Sequence, residues 1–375
     1  MKRPPGIDST TTGIAARSTT TGTATSTTTS STLPPRPTSY RIGRETFHWK
    51  DSSRTTWNAV DPSAPISGRI LTTVVLYPTL GGSAVETPAA KPATSDGPFP
   101  VIVLAHGFDV SPSYYQPLLD SWVQAGFIVV SPIFPDENTA TVSADGGPYS
   151  TGGSADENDE SAETGDIPFV LQQFDAVVAT GSGSPLAGIA DTSDLALAGQ
   201  SDGANVVAAL AYGSAYGFDR RMMPVEPKAV AILSGQQLIP ANGHRNLYAA
   251  SSSSPAVLQV QSDTDTCNSA QSAAGLFGAL VGAPVHLFET LHGATHLAPY
   301  TTLFTGTNPW AAVVEKVTTE FFEVELGWNN KGVSIASVIG NGSMAGVSNV
   351  TVEAPGFPSA SAGEDCSGLP TTGSG

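Results

Sequence analysis

The chain has 375 residues, 40% of them hydrophobic, and a formal net charge of −17 at pH 7. This length allows one large domain with tails or two domains, and the apolar content is sufficient for a sizeable core. An acidic chain repels phosphate backbones, so nucleic acid is not an expected partner. No run approaches the roughly 18 apolar residues of a membrane span, so the sequence predicts no membrane-spanning segment.

The first 38 residues are rich in Thr and Ser and lack the apolar residues that would offset the entropy of ordering, which predicts a disordered arm over 1–38. The basic start is not followed by an apolar stretch, so no signal peptide is predicted.

The two cysteines, Cys267 and Cys366, form either one disulfide or two free thiols. A disulfide and a Thr/Ser-rich arm would suit an extracellular or cell-envelope protein, although the sequence leaves the location open.

The first predicted elements form a strand–helix–strand unit. Ile70–Tyr77 is rich in β-formers, and Val101–Ala105 is a continuous apolar run that is typical of a strand buried on both faces. A helix is predicted over Tyr115–Gln124, with Gly126 near its C-cap. Phe127–Val130 is the next buried strand. This spacing predicts a βαβ unit with parallel strands.

The segment 136–166 contains many acidic residues but lacks the spacing of a calcium loop. The segment is predicted to be a loop, and its acidic run at 156–163 is expected to be solvated and flexible instead of holding calcium. Asp166 is predicted to cap a helix that runs to about Ala179.

Apolar runs with strand or helix character continue to alternate downstream. They are Leu195–Ala198, Ala204–Tyr212, Ala229–Leu233, Ala256–Val260, Val285–Thr290 and Val313–Leu326. The alternation predicts one α/β domain over 39–328, with a mostly parallel central sheet and helices on both faces. A Gly/Ser-rich tail follows at 329–375. Its LPTTG string, at 369–373, lacks the apolar anchor and basic end that would give such a string meaning as a sorting signal, so we expect it to be incidental.

The stretch Gly199–Gly203 fits the pattern G-x-S-x-G between a predicted strand and a predicted helix. A sharp turn of this kind exposes the serine at its tip, and the flanking glycines let the strand and the helix approach closely. Ser201 is therefore a candidate nucleophile. Because a serine hydroxyl is a poor nucleophile at neutral pH, it needs a base within hydrogen-bond reach and a carboxylate that orients the base.

An acid and a base follow in the chain order that this arrangement uses, which is Ser, then Asp or Glu, then His. Asp263 and Asp265 come after one predicted strand, and His292 and His296 come after the next. Both pairs lie at the carboxyl end of a strand, where open α/β sheets bind ligands. The residues alone leave the choice within each pair open.

A serine that attacks a carbonyl group also needs two backbone N–H groups that stabilise the oxyanion. One is expected from Asp202, directly after the candidate nucleophile, and the other from Phe108, in the loop after the strand 101–105. The side chain of Asp202 is expected to point outward from the first helical turn. His106 is expected to order the loop rather than to act as a base.

Aromatic side chains near this loop are candidates for the substrate cleft. Tyr114 and Tyr115 lie at the start of the predicted helix and are tentative substrate contacts. For Trp122, later in the same helix, we favour a place on the buried face.

Four segments carry a resemblance to the α/β-hydrolase superfamily over about residues 40–327. They are the strand with its HGF (106–108), GQSDGANVVAALAY (199–212), SDTDTCN (262–268) and LHGATHLAPYT (291–301). They look closest to dienelactone-hydrolase-like, platelet-activating-factor-acetylhydrolase-like and cutinase-like polyester hydrolases. In these relatives the acid is the last residue of a Gly-x-x-Asp turn, which implies Asp265 rather than Asp263. Their histidine follows a Gly-small-small step, which implies His296 rather than His292.

The resemblance implies a serine carboxylic-ester hydrolase that acts through Ser201, Asp265 and His296 and an acyl-enzyme. We expect it to need no cofactor or metal and to act as a monomer on a small-molecule or polymeric ester. A polyester- or lipid-active enzyme with an open cleft is an alternative, although the strand before Ser234 lacks the aromatic residue that cutinase-like relatives use there. Another departure is Gln200, where many relatives have His or Trp. A non-catalytic binding protein on the same scaffold is a second alternative.

Overall fold

A computed structural model describes residues 37–58, 61, 63–81, 85–144, 160–213, 223–237, 248–304, 306–328, 332–353 and 355–357. Residues 1–36 of the predicted arm, residues 156–159 of the acidic run, Cys366 and the LPTTG string lie outside the described residues. Residues 160–163 of the run belong to a helix instead of the predicted loop. What we predict for them, including a pairing of Cys366 with Cys267, stays a prediction.

One sheet contains all the strands found in the described ranges, in the order β10-β9-β8-β7-β6-β4-β5-β2-β1-β3. The strands are β1 (Arg41–Thr56), β2 (Ile66–Thr79), β3 (Thr87–Pro88), β4 (Phe99–Ala105), β5 (Ile128–Ile133), β6 (Ala190–Gln200), β7 (Ala229–Leu233), β8 (Ala256–Ser262), β9 (His286–Leu291) and β10 (Ser348–Thr351).

Helices connect these strands and cover the sheet. They are α1 (Gln116–Ala125), α2 (Thr139–Ala144), α3 (Glu160–Val178), α4 (Asp202–Tyr212), α5 (Ala270–Ala279), α6 (Pro309–Glu325) and α7 (Ile335–Gly342), with a short 3₁₀ helix at Pro112–Tyr115. Helix α1 packs on α6, where the buried Trp122 donates a hydrogen bond to Thr318 Oγ1 at 2.9 Å. Helix α3 packs on α4. Trp122 thus lies on the buried helix face that we favoured for it.

The sheet has a topological switch point next to β4. Parallel pairing joins β5, β4, β6, β7, β8 and β9, whereas β2, β1 and β10 extend the sheet through antiparallel pairs. Strand β4 has β5 on one side and β6 on the other, so the direction of winding reverses there. Right-handed crossovers then place α1 and α4 on opposite faces, and the carboxyl ends of β4 and β6 meet at a switch point where open α/β sheets bind ligands.

The central elements agree with the sequence pattern, and the outer ones do not follow from it. Every residue of β4 is buried, as its apolar run predicts. Helix α1 ends before Gly126, which takes the left-handed conformation (φ 103°) expected of a C-cap. No sequence pattern predicts β1, whose exposure alternates along the strand. Helix α7 and strand β10 lie within the predicted tail, and β10 pairs with β9, so the sheet continues beyond residue 328.

Buried ion pairs join α3 to the first two strands. Asp166 does not cap a helix as predicted, because α3 already begins at Glu160. Its buried carboxylate instead accepts hydrogen bonds from Arg69 at 2.8 Å and pairs with Arg54 at 2.8 Å. Arg69 also contacts the buried Asp136 after β5. Removing one partner would leave a buried charge uncompensated, which costs roughly 3–5 kcal/mol.

Glu289, in β9, is a carboxyl group inside the core. Neither of its oxygens has a hydrogen-bond partner among the described residues, and the residue is fully buried. An ionised carboxylate without a partner is strongly disfavoured in such surroundings. Burial accordingly raises the pKa of Glu289 to about 8, so the group is protonated in the folded chain at neutral pH.

We predict that Glu289→Gln removes a pH-dependent loss of stability. The unfolded carboxyl ionises near its ordinary pKa of 4.5 whereas the folded one keeps its proton to about pH 8. The wild-type free energy of unfolding therefore falls as pH rises through this window, with a slope of up to about 1.4 kcal/mol per pH unit from this group. Denaturant unfolding at pH 5, 7 and 9 should show the variant gaining stability over wild type as pH rises. The exposed Glu353→Gln is the control, and a pH-independent difference for Glu289→Gln would contradict the prediction.

Candidate active site

Ser201 lies on a sharp turn between β6 and α4. Its backbone has φ 56° and ψ −121°, a left-handed conformation that is strained for a residue with a side chain. Its N–H donates to the carbonyl of Leu233 at 3.0 Å, and its carbonyl accepts from the N–H of Ala204 at 2.9 Å. The neighbouring strand and the following helix thus hold the strained residue at the carboxyl edge of the sheet.

The two glycines of the motif allow this turn because three backbones meet there. A Cβ at Gly199 would lie 2.1 Å from the carbonyl oxygen of Gly203, and a Cβ at Gly203 would lie 2.2 Å from that of Ala105. Neither distance is possible for a real side chain. The pattern G-x-S-x-G is therefore a packing requirement of β4, β6 and α4.

The structure brings together Ser201, His296 and Asp265. Ser201 Oγ lies 2.9 Å from His296 Nε2, and His296 Nδ1 lies 2.8 Å from Asp265 Oδ2. An ionised carboxylate can only accept, so Nδ1 carries the ring proton and Nε2 accepts from the serine hydroxyl. The three side chains have low exposure, with Ser201 at 8%, Asp265 at 7% and His296 at 3%. The arrangement suits removal of the serine proton.

The carboxylate of Asp265 is held in place by its own loop. Its Oδ1 accepts from the backbone N–H groups of Cys267 at 2.9 Å and Asn268 at 3.1 Å. Its Oδ2 accepts from Gln261 Nε2 at 3.0 Å as well as from His296. Four donors therefore fix the position of this carboxylate.

Asp263 and His292, the alternatives within each predicted pair, contact each other instead of Ser201. His292 Nδ1 lies 2.8 Å from Asp263 Oδ2, and the N–H of Gly293 donates to Asp263 Oδ1 at 2.8 Å. The pair is partly exposed, at 44% for the His292 side chain and 31% for that of Asp263. The hydroxyls of Ser262 and Thr264 both donate to the carbonyl of Ala294, so several bonds join the loop after β8 to the loop after β9.

The loop after β4 packs directly against the turn that carries Ser201. A Cβ at Gly107 would lie 2.9 Å from the Cβ of Ser201, and Phe108 is the next residue. The buried His106 shapes this loop, with Nε2 accepting from the N–H of Phe134 at 2.9 Å and Nδ1 bonding to the carbonyl of Gly107 at 2.8 Å. Burial lowers the pKa of His106 to about 4, so the ring stays neutral, which fits a loop-ordering role.

The side chain of Asp202 does not point outward as expected. It is buried and interacts electrostatically with Tyr115 and Glu163. Glu163 and Glu137 are also buried, although the sequence predicts a loop at both positions and solvent exposure for Glu163. Burial, followed by the charge of Glu137, raises the pKa of Glu163 well above its usual range. The raised pKa of Glu163 favours its uncharged form, and the ion pairs of Arg69 offset the burial of Asp136 and Asp166.

The two tyrosines considered as substrate contacts have different environments. Tyr114 is half-buried, and its carbonyl accepts from the N–H of Thr302 at 2.8 Å. Tyr115 is fully buried, and its hydroxyl accepts from the N–H of Gly107 at 3.1 Å and donates to Gln200 Oε1 at 2.7 Å. This position does not fit a substrate contact for Tyr115.

Comparison with known proteins gives a partial sequence match and a broad structural one. A family model described as Chlorophyllase matches residues 85–145, which include the loop after β4 but not Ser201. A solved ferulic acid esterase from Streptomyces cinnamoneus superposes with a TM-score of 0.53 at 18% identity, over 82% of this chain and 97% of that one. The chain has the α/β-hydrolase fold. In all, 593 solved chains match it significantly, whereas no curated protein matches.

The α/β-hydrolase fold accounts for the convergence of distant segments. Ser201, Asp265 and His296 follow β6, β8 and β9, whose carboxyl ends lie along one edge of the sheet. Phe108 follows β4 at the same edge.

The described ranges contain no group of three or more His, Cys, Asp or Glu side chains arranged to hold a metal ion. Within those ranges, no helix is long and apolar enough to cross a membrane.

Two buried amides that support the candidate triad were not predicted from the sequence. Gln261 contacts Asp265, and Gln200 Nε2 lies 3.3 Å from His296 Nε2. A weak signal exists, because both glutamines follow apolar residues near the carboxyl end of a buried strand and a buried polar side chain needs a partner. The identity of that partner depends on tertiary contacts between segments far apart in the chain.

We predict that Gly203→Ala destabilises the fold by about 3 kcal/mol, since the added methyl group overlaps the backbone of β4. Thermal unfolding monitored by circular dichroism measures the change. Gly278→Ala is the matched control, because Gly278 is exposed in α5 with open space around its Cα. That control should gain roughly 0.4–1 kcal/mol. Wild-type stability of Gly203→Ala would contradict the close approach of α4 and β4.

Proposed function

We propose that the chain is a serine carboxylic-ester hydrolase with Ser201 as nucleophile, His296 as general base and acid, and Asp265 as the carboxylate that orients the histidine. The observation that carries this proposal is the pair of contacts at 2.9 Å and 2.8 Å that link the three side chains at a strained turn. The resemblance in fold to a ferulic acid esterase supports an ester as the substrate class.

The first half-reaction transfers the acyl group to the enzyme. Ser201 Oγ attacks the ester carbonyl carbon while His296 Nε2 takes the hydroxyl proton, and the carbonyl oxygen becomes an oxyanion. The backbone N–H groups of Phe108 and Asp202 stabilise this oxyanion, and the N-terminus of α4 contributes its positive dipole end. Collapse breaks the bond to the alkoxide, which takes the proton from His296.

The second half-reaction releases the acid. A water molecule gives its proton to His296 Nε2 and attacks the acyl carbon, again forming an oxyanion. When the intermediate collapses, Ser201 Oγ leaves and regains the proton from His296. Asp265 remains ionised throughout and stabilises the imidazolium. The products are a carboxylic acid and an alcohol, and every proton is accounted for by the ester, water and these three side chains.

Soluble esters fit this chain better than polyester. At the end of β7, where cutinase-like relatives have an aromatic residue, Ser234 is buried and its hydroxyl lies 3.1 Å from that of Tyr300. Release of acid from a polyester film, measured beside turnover of soluble esters of increasing acyl length, tests this preference.

We predict that Ser201→Ala abolishes both covalent labelling and turnover. A fluorophosphonate probe should add to wild type in the peptide that contains Ser201, and p-nitrophenyl butyrate hydrolysis should fall by about 10⁴-fold or more in the variant. Intact mass and peptide mapping locate the adduct. The exposed Ser253→Ala is the control and should behave as wild type. A folded wild-type protein without adduct or turnover would rule out the proposed chemistry and favour a binding protein.

We predict that Asp265→Asn and Asp263→Asn differ strongly in effect. Loss of the Asp265 charge removes the partner of His296 and should lower kcat by about 10³- to 10⁴-fold. Asp263 pairs with the partly exposed His292, so its substitution should lower kcat less than about tenfold and slightly reduce stability. Steady-state kinetics and thermal unfolding of both variants measure this. Equal losses of kcat would contradict the roles assigned to the two aspartates.

A further inference from the structure

Gln200 connects the loop after β4 to His296. It is the last residue of β6 and is fully buried next to Ser201. Its Nε2 lies 3.3 Å from His296 Nε2, and its Oε1 accepts from the Tyr115 hydroxyl at 2.7 Å. That hydroxyl in turn accepts from the N–H of Gly107 at 3.1 Å. A continuous chain of hydrogen bonds therefore runs from the backbone of the loop to the ring nitrogen that faces the nucleophile.

The hydrogen-bond partners fix the orientation of the Gln200 amide. Because Tyr115 accepts from the backbone, its single proton is available for the Gln200 oxygen, and the amide N–H group then faces His296. His296 Nε2 has one lone pair, which can accept only when Nδ1 bears the proton, as its contact with Asp265 requires. This lone pair is shared between the Ser201 hydroxyl at 2.9 Å and the more distant Gln200 amide at 3.3 Å. The reverse orientation would leave the tyrosine proton without this acceptor and set an oxygen against the lone pair of Nε2.

Neighbouring residues pack closely around the Gln200 amide and the Tyr115 hydroxyl. A Cβ at Gly107 would lie 2.7 Å from Gln200 Oε1, so the loop backbone packs directly on the amide. Tyr115 is fully buried, and burial raises its pKa, which keeps the hydroxyl a donor. Titratable and charged groups near the network include Asp265 on the loop after β8 and Asp202 at the start of α4. Tyr300 interacts with Asp265, Glu163 interacts with Asp202, and His106 bonds to the carbonyl of Gly107.

We propose that Gln200, held by Tyr115, is a positioning residue that keeps His296 neutral and directed at Ser201 in the resting site. This proposal rests on the proposed function. The amide N–H favours the ring while Nε2 has a lone pair and opposes the ring once Nε2 is protonated, because two donors then face each other. Gln200 thereby extends the pH range in which His296 acts as a base, and it promotes return of the proton to the leaving alkoxide.

Substitutions at Gln200 should move the acid limb of the pH profile of kcat/KM. Gln200→Leu removes the donor, so the midpoint of this limb should rise by about half a unit to one unit, the equivalent of one neutral hydrogen bond. Gln200→Glu places a carboxylate against His296 and should raise the midpoint further, by about one unit or more. Tyr115→Phe frees the amide from its anchor and should lower kcat by about three- to tenfold with little change in KM.

The matched control is Gln259→Leu, which removes a buried glutamine of β8 that bonds to Ala273 rather than to the site. It should lower stability without moving the midpoint. All rates are normalised to the fraction of protein that reacts with a fluorophosphonate, so loss of folded protein does not imitate the effect. Folded Gln200→Leu and Gln200→Glu variants with the wild-type midpoint would overturn the role of Gln200. Absence of labelling and turnover in wild type would instead overturn the proposed function, and this inference with it.

Discussion

The close contact of three backbones at Ser201 is the constraint on which the candidate site depends. β6 delivers the chain to the edge of the sheet, α4 leaves at a sharp angle, and β4 lies against the first turn of that helix. Without a Cβ at Gly199 and Gly203, these segments approach to distances that no other residue type allows. Backbone hydrogen bonds to β7 and α4 maintain the strained conformation of Ser201. The same approach brings the loop after β4 next to the serine, so the proposed nucleophile and the proposed oxyanion site are positioned by one packing event.

The central part of the fold follows from local sequence patterns. Continuous apolar runs identify β4 and its parallel neighbours. A strand that is covered on both faces has apolar residues at successive positions, without the apolar–polar alternation of a strand with one solvent-exposed face. The turn at Ser201 is recognisable since its two glycines meet a steric need. The outer strands are less predictable, because β1 is half-exposed and contains many polar residues. Short elements such as α7 and β10 depend on docking to the rest of the sheet, which no local pattern encodes.

The candidate site divides in the same way. Ser201, Asp265 and His296 are candidates from chain order and resemblance, and the structure brings their side chains into contact. The burial of Asp202, Glu137 and Glu163 cannot be predicted, because whether a carboxyl group is buried depends on tertiary partners and on protonation. From its place in the sequence, Tyr115 is one of two candidate substrate contacts. Its hydroxyl is instead engaged beneath the nucleophile by a backbone N–H and an amide.

The bonds between the loops after β8 and β9 have a mechanical consequence. Asp263 pairs with His292 and accepts from the N–H of Gly293, and two hydroxyls donate to the carbonyl of Ala294, so the loops that carry Asp265 and His296 are bonded directly to each other. Ser201 lies outside this set of bonds, on the turn between β6 and α4. These bonds constrain the distance between Asp265 and His296 more directly than the distance between His296 and Ser201. In the proposed reaction His296 serves first the serine and then the leaving group, so freedom in the second distance suits the role proposed for it.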